Sequence, residues 1–193
     1  MPDPVLILIF RLILSFVRQN CIVVNKKIEK ILNKQIEAEA VSSHLYLAMA
    51  SWADNAGMNG TANFLYVHAE EERMHMLKLV KFVNERGGKA DIPSIPAPKQ
   101  NFDSLTDVFS RLQEHELMVT NMINEVVFVC LQEKDYTTHN FMQWYVAEQL
   151  EEEALARNIL DKLKMIGNDK GGLYLFDRDI ETFQVVTKAP AKP

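Results

Sequence analysis

Residues 68–76 read HAEEERMHM, three successive carboxylates flanked by two histidines in a region that otherwise has the pattern of a helix. Glu72 and His75 form Glu-x-x-His, and on a helix the i,i+3 spacing puts both side chains on one face, within reach of a single cation. Alone the tetrapeptide says little, because a run of charges is usually a solvated helix face. Gln149-Leu150-Glu151-Glu152 repeats the spacing with an amide and a carboxylate. If these groups do chemistry, it is oxygen-plus-imidazole ligation, which suits iron or manganese better than thiolate-loving zinc.

The elements that must carry these residues are helices, since from Lys26 onward apolar residues recur at alternating spacings of three and four. The first segment runs from Lys26 to Asp54 and stops at the turn-rich DNAGMNG. The second starts near Asn59 and ends at Gly87 and Gly88. A proline-rich stretch, KADIPSIPAPKQNFD, follows. The third begins at Asp103 or Ser104, either a good N-cap, and ends around EKDY; the fourth runs from there to Ile166, with Gly167 as its stop.

Each inward stripe holds a carboxylate where a leucine would be expected. The first stripe is Ile28, Leu32, Gln35, Glu39, Ser42, Tyr46, Met49 and Ala53; the second is Leu65, His68, Glu72, His75, Leu79 and Phe82. The third carries Glu116 between Leu112 and Val119, and the fourth carries Gln149 and Glu152 between Tyr145 and Ala156. In an antiparallel hairpin the midpoint of two residues at one level falls in the turn. Glu39 and Glu72 centre on DNAGMNG, and Glu116 and Glu152 centre on EKDY. Four buried, mutually repelling carboxylates need cations, and none of the central stripe positions supplies a lysine or arginine. A pair of divalent cations accounts for all four together.

The middle connection sets the topology. About 15 residues between Gly88 and Ser104 can reach ~50 Å when extended, enough to run back along a helix of about 28 residues, ~42 Å long. A short antiparallel link would need far fewer. The sequence therefore predicts a crossover, with the second and third helices parallel.

Over about residues 26–183 the chain resembles the bacterial non-haem ferritins, in QIEAEAVSSHLY, HAEEERMH, NFMQWYVAEQLEEE and GLYLFDRDI. The resemblance implies an all-α fold, a ferritin-like four-helix bundle with the long crossover between its second and third helices and a short fifth C-terminal helix. It implies a ferroxidase that oxidises Fe(II) to Fe(III) with O2 or H2O2 and stores ferric mineral in a cytoplasmic homo-oligomeric shell of 24 subunits. Carried over residue by residue, one iron would be held by Glu39, Glu72 and His75. The other would take the bridging Glu72 with Glu116 and Glu152, and Gln149 beside it. A third, weaker iron position resembles Glu71, Glu148, Glu151 and Glu152, and Tyr46 matches the tyrosine near the family's di-iron centre. No haem is expected, since Gln149-x-x-Glu152 stands where bacterioferritins place a second Glu-x-x-His, and Arg73 where they place the haem methionine. Residues after Gly171 distinguish the chain from mini-ferritins, and two isolated cysteines cannot build the iron domain of a rubrerythrin.

The remaining residues take plainer readings. Cys130 is a small core hydrophobe, His44 and His139 are surface or interface residues, and His68 is a core histidine rather than a ligand. His115 adjoins Glu116 and stands behind the ligands, while Trp144 and Tyr145 pack, Tyr145 near the site. A net charge of -5 advertises no nucleic-acid surface. The N-terminal PVLILIFRLILSFV is shorter than the roughly 20 residues of a membrane span and is broken by Arg11. Nor does it have a signal peptide's basic start and small-residue cleavage point. Residues 1–22 are therefore set apart as an apolar extension or a start-site artefact, 23–183 as the ferritin-like domain, and 184–193 as a flexible tail.

Overall fold

The computed structural model describes residues 23–186, with side chains to Phe183. The expectations for residues 1–22, and for the tail beyond 186, lie outside the described residues. Four long helices follow one another: α1 (Lys26–Asn55), α2 (Asn59–Glu85), α3 (Leu105–Gln132) and α4 (Tyr136–Ile166). A short α5 (Lys170–Asp179) runs into a 3-10 helix, Ile180–Val186, three residues past the expected domain boundary. No strand occurs among the described residues, and no helix there is long and apolar enough to cross a membrane.

Polar side chains start most of these helices by accepting first-turn N–H groups. Asn25 caps α1 through the Lys27 N–H (2.8 Å), and Ser104, one of the two expected caps, takes the Asp107 N–H of α3 (3.1 Å). Asp135 caps α4 through Thr138 (2.9 Å) while its two oxygens accept from Arg86 beyond the end of α2, both at 3.1 Å. That fork ties the end of the α1–α2 hairpin to the α3–α4 turn. Gly167 ends α4 at φ 58, a left-handed conformation that side chains resist.

Contacts along the connection establish the crossover. Lys89 and Asp91 hydrogen-bond Asn33 near the start of α1, whereas Phe102 meets Trp52 near its end, ring centroids 5.7 Å apart. The connection thus runs the length of α1. The C-terminal ends of α2 and α3 share one end of the bundle, which makes these two helices parallel, as the length of the link requires.

α2 lacks a cap of its own, since the side chain of Met58 makes no capping bond. Asp177 of α5 supplies it, accepting from Thr61 N (2.8 Å) and Gly60 N (3.3 Å). The close approach explains the glycine, because a Cβ at position 60 would lie 1.8 Å from the Asp177 carbonyl oxygen. Asp177→Ala is expected to lower stability by ~1–2 kcal/mol, the usual worth of a lost N-cap, and chemical denaturation of the assembled protein reads it. An unchanged midpoint would mean that α5 does not hold α2.

The core is split. One apolar cluster gathers Tyr46, Phe64, Phe109, Ala156 and Phe176 toward the α5 end, and another gathers Leu32, Leu79, Ile123 and Tyr145 toward the opposite end. The band between them holds Glu39, Ser42, His68, Glu72, Glu116, Gln149 and Glu152, all buried. Burying that much polarity between two apolar layers costs stability unless something compensates it.

Candidate metal centre

Each of the four bundle helices delivers one buried carboxylate to this band: Glu39, Glu72, Glu116 and Glu152. They stand inward because the stripe positions do. Every member of the first stripe is buried, and so are the named neighbours of Glu116, Gln149 and Glu152.

Glu39, Glu72 and His75 converge. His75 Nδ1 lies 3.8 Å from Glu39 Oε2 and 3.7 Å from Glu72 Oε2, and one ligand atom from each of the three falls within 4.8 Å of the other two. The Tyr145 hydroxyl donates to the His75 carbonyl (2.8 Å) and fixes that turn of α2. Gln35, one turn before Glu39, donates its amide to Glu39 Oε1 (2.8 Å) and leaves Oε2 facing His75. Trp144 presents its edge to His75, centroids 5.1 Å apart, with the Lys78 ammonium 3.1 Å from its ring centroid. It stays partly exposed while it packs against His75 and Tyr145.

Glu116 is held differently. The Tyr46 hydroxyl donates to one of its oxygens, and the Gln149 amide donates to the other and to the Glu116 carbonyl. The structure thus brings Tyr46 and Gln149 onto Glu116. His115 stands behind, its Nε2 2.8 Å from Ser42 Oγ, and burial pushes it down to about 4, so it is neutral near pH 7.

A second convergence joins His68, Glu71 and Glu152, again with ligand atoms mutually within 4.8 Å. Of the residues given to a third iron position, Glu71 and Glu152 belong to this group. Glu148 instead faces His75, with 4.0 Å between its Oε1 and the imidazole Nε2, and Glu151 is exposed. Glu70 and Arg73 form an exposed pair at 3.9 Å, the solvated part of HAEEERMHM.

The electrostatics follow from burial. Glu39 is held well above the usual 4.5, first by desolvation and then by the charge of Glu72. Glu72 is pushed up to about 8 by desolvation and the charge of Glu152, and Glu116 to about 8 for the same two reasons. Burial also acts on Glu152, but the hydrogen bond and charge of His68, aided by His75, outweigh it and hold this carboxyl below its ordinary value. Among the described residues, the ion-pair partners of Glu39, Glu72 and Glu152 are histidines, not lysines or arginines.

Sequence reasoning assigned no role to Gln35 and read His68 as a core histidine. The available signal was a polar residue on an inward stripe, one turn before the stripe's carboxylate in each case.

A pair of helical hairpins, joined by a crossover and lined at mid-depth by carboxylates and histidine that could hold a metal ion, is the arrangement of ferritin-like four-helix bundles. Residues 29–166 match the ferritin-like domain family. The chain is 48% identical to a "Probable bacterial non-heme ferritin-like protein" of Haemophilus influenzae, over 81% of this chain and 94% of that protein. It is 44% identical to a "Bacterial non-heme ferritin" of Campylobacter jejuni, over 85% and 98%. An open pore ferritin from the archaeon Archaeoglobus fulgidus superposes with TM-score 0.80 at 44% identity, covering 82% of this chain and 98% of that one. The chain belongs to the ferritin family, whose membership carries iron binding and oligomeric assembly with it.

Proposed function

We propose that the chain oxidises Fe(II) at paired positions within the carboxylate band and stores the product as ferric mineral inside a 24-subunit cytoplasmic shell. Residues 23–183 form the functional unit. Iron storage coupled to Fe(II) oxidation is the activity of its family, and the band explains how these residues perform it.

Glu39, Glu72 and His75 hold one iron; Glu72, Glu116 and Glu152 hold the other, with Gln149 beside it. Carboxylates neutralise Fe(III) more strongly than Fe(II), so a site rich in them favours the oxidised product. Each iron gives up one electron. O2 takes the two with two protons and leaves as H2O2, or H2O2 takes them with two protons and becomes two waters. The chain's part is to hold both cations close, orient Glu116 through Tyr46 and Gln149, and keep the apolar layers above and below dry. The observation that carries this reading is one buried carboxylate from each helix at one depth, with no lysine or arginine paired to Glu39, Glu72 or Glu152 among the described residues.

Loading the native assembly with Fe(II) in air, followed by size analysis, tests it. Rapid oxidation and a large iron-filled particle are expected. A small assembly that retains no iron would overturn storage.

A further inference from the structure

We infer that Gln35 is a positioning residue for Fe(II) oxidation: it ties one oxygen of Glu39 and so presents that carboxylate to the ion through a single atom. The inference rests on the iron pair proposed above, in which Glu39 shares a position with Glu72 and His75.

Gln35 is fully buried on the inward stripe of α1, between Leu32 and Glu39. Leu32 and the adjoining Ile36 belong to the apolar cluster on that side of the band. Only half of the Gln35 amide has a partner. Its Nε2 donates to Glu39 Oε1 at 2.8 Å, whereas its own Oε1 has no hydrogen-bond partner, a condition shared among the described residues only with Thr61 Oγ1. The desolvation lost at a buried, unpaired acceptor is as large as the gain from a single hydrogen bond. A leucine would continue the stripe and serve stability as well or better. The glutamine is explained instead by what its N–H does to Glu39.

That effect follows from the geometry. Glu39 Oε1 is drawn toward the preceding turn of α1, and Oε2 is left toward His75 Nδ1, 3.8 Å away. Donor and acceptor are four residues apart on one helix, so α1 sets this hold without help from the other three helices. Gln149 makes the matching contact across the band, its amide donating to Glu116 while Tyr46 donates to the other oxygen. Glu116 is thus held at both ends, and Gln35 holds Glu39 at one.

A carboxylate can take a cation through one oxygen or through two. With Oε1 held back, Glu39 gives the ion one bond and spares a coordination position, as a metal site must if it is to admit a reactant. The reactant here is O2 or H2O2. Releasing Oε1 lets Glu39 close on the ion with both oxygens, which keeps or tightens binding while filling the position the oxidant needs.

Gln35→Leu separates the two effects. Co(II) titration of the assembled variant should show the parent's affinity or a tighter one, while initial Fe(II) oxidation in air falls by about 10–100-fold, the usual cost of losing a partner of a metal ligand. The visible absorption of bound Co(II) should weaken as its coordination number rises. Crystals soaked in Co(II) should show one Glu39 oxygen at bonding distance in the parent and two in the variant. Gln35→Asn, an amide one methylene too short to reach Glu39 Oε1, should behave as Gln35→Leu does, and it decides the matter if Gln35→Leu does not assemble. Parental oxidation rates and Co(II) spectra in these variants would refute the role of Gln35. So would a loss of Co(II) affinity in step with the loss of rate, which would make Gln35 a support for binding alone. His75→Ala keeps that failure apart from failure of the pair. If His75→Ala loses Co(II) while the Gln35 variants match the parent, only the role of Gln35 falls; if His75→Ala also matches the parent, the pair itself is wrong.

Discussion

Glu72→Ala is expected to slow the initial oxidation of Fe(II) by ~100-fold or more, because changes to the mere outer partners of metal ligands already cost about 10–100-fold. Glu72 is the carboxylate placed between Glu39 with His75 on one side and Glu152 on the other, so in the proposed ligation its loss removes a ligand from both positions. Stopped-flow absorbance on the assembled variant measures it, and a parental rate would refute the site. The same residue should move stability the opposite way. Its folded value of about 8 stands above the ordinary 4.5, so its contribution is fully present below 4.5 and is lost as pH rises through 8. Metal-free Glu72→Gln, which cannot ionise, should therefore melt above the metal-free parent at pH 8 and higher, by on the order of a few kcal/mol. A functional residue that destabilises its own fold when unliganded is what a cation site requires.

How much of this was legible in the sequence depends on whether a feature is local. The helix ends at Ser104 and Gly167 were legible because caps and stops use residues adjacent in the chain. The buried stripes were legible because the period of 3.6 fixes which residues share a face. Depth matching of Glu39 with Glu72, and of Glu116 with Glu152, followed from the short turns alone. The resemblance to non-haem ferritins then supplied roles that spacing could not. What stayed hidden depends on the rotation of one helix against another. Glu148 and Glu151 flank Gln149 on α4, yet one faces His75 and the other solvent. His68 reads as a core histidine until Glu152 of α4 is seen across from it. Asp177 could not be recognised as the cap of α2, since it lies more than a hundred residues away along the chain.

Fe(II) binding should release protons, and its affinity should rise steeply with pH. In the metal-free chain burial holds Glu39 well above its ordinary range, and Glu72 and Glu116, pushed up to about 8, carry protons near pH 7. A cation must displace them. If about two protons leave as the pair fills, affinity changes ~100-fold per pH unit below 8, since each displaced proton contributes a factor of about ten. Anaerobic calorimetry at pH 6 and 7, in buffers of different ionisation heat, reads both the slope and the proton count. Buffer-independent heats with pH-independent affinity would mean that the carboxylates are already ionised and that burial has been compensated some other way. Glu152 should contribute none of the released protons, because His68 holds it below its ordinary value. Its low value sets it apart from the other three carboxylates, which burial pushes up.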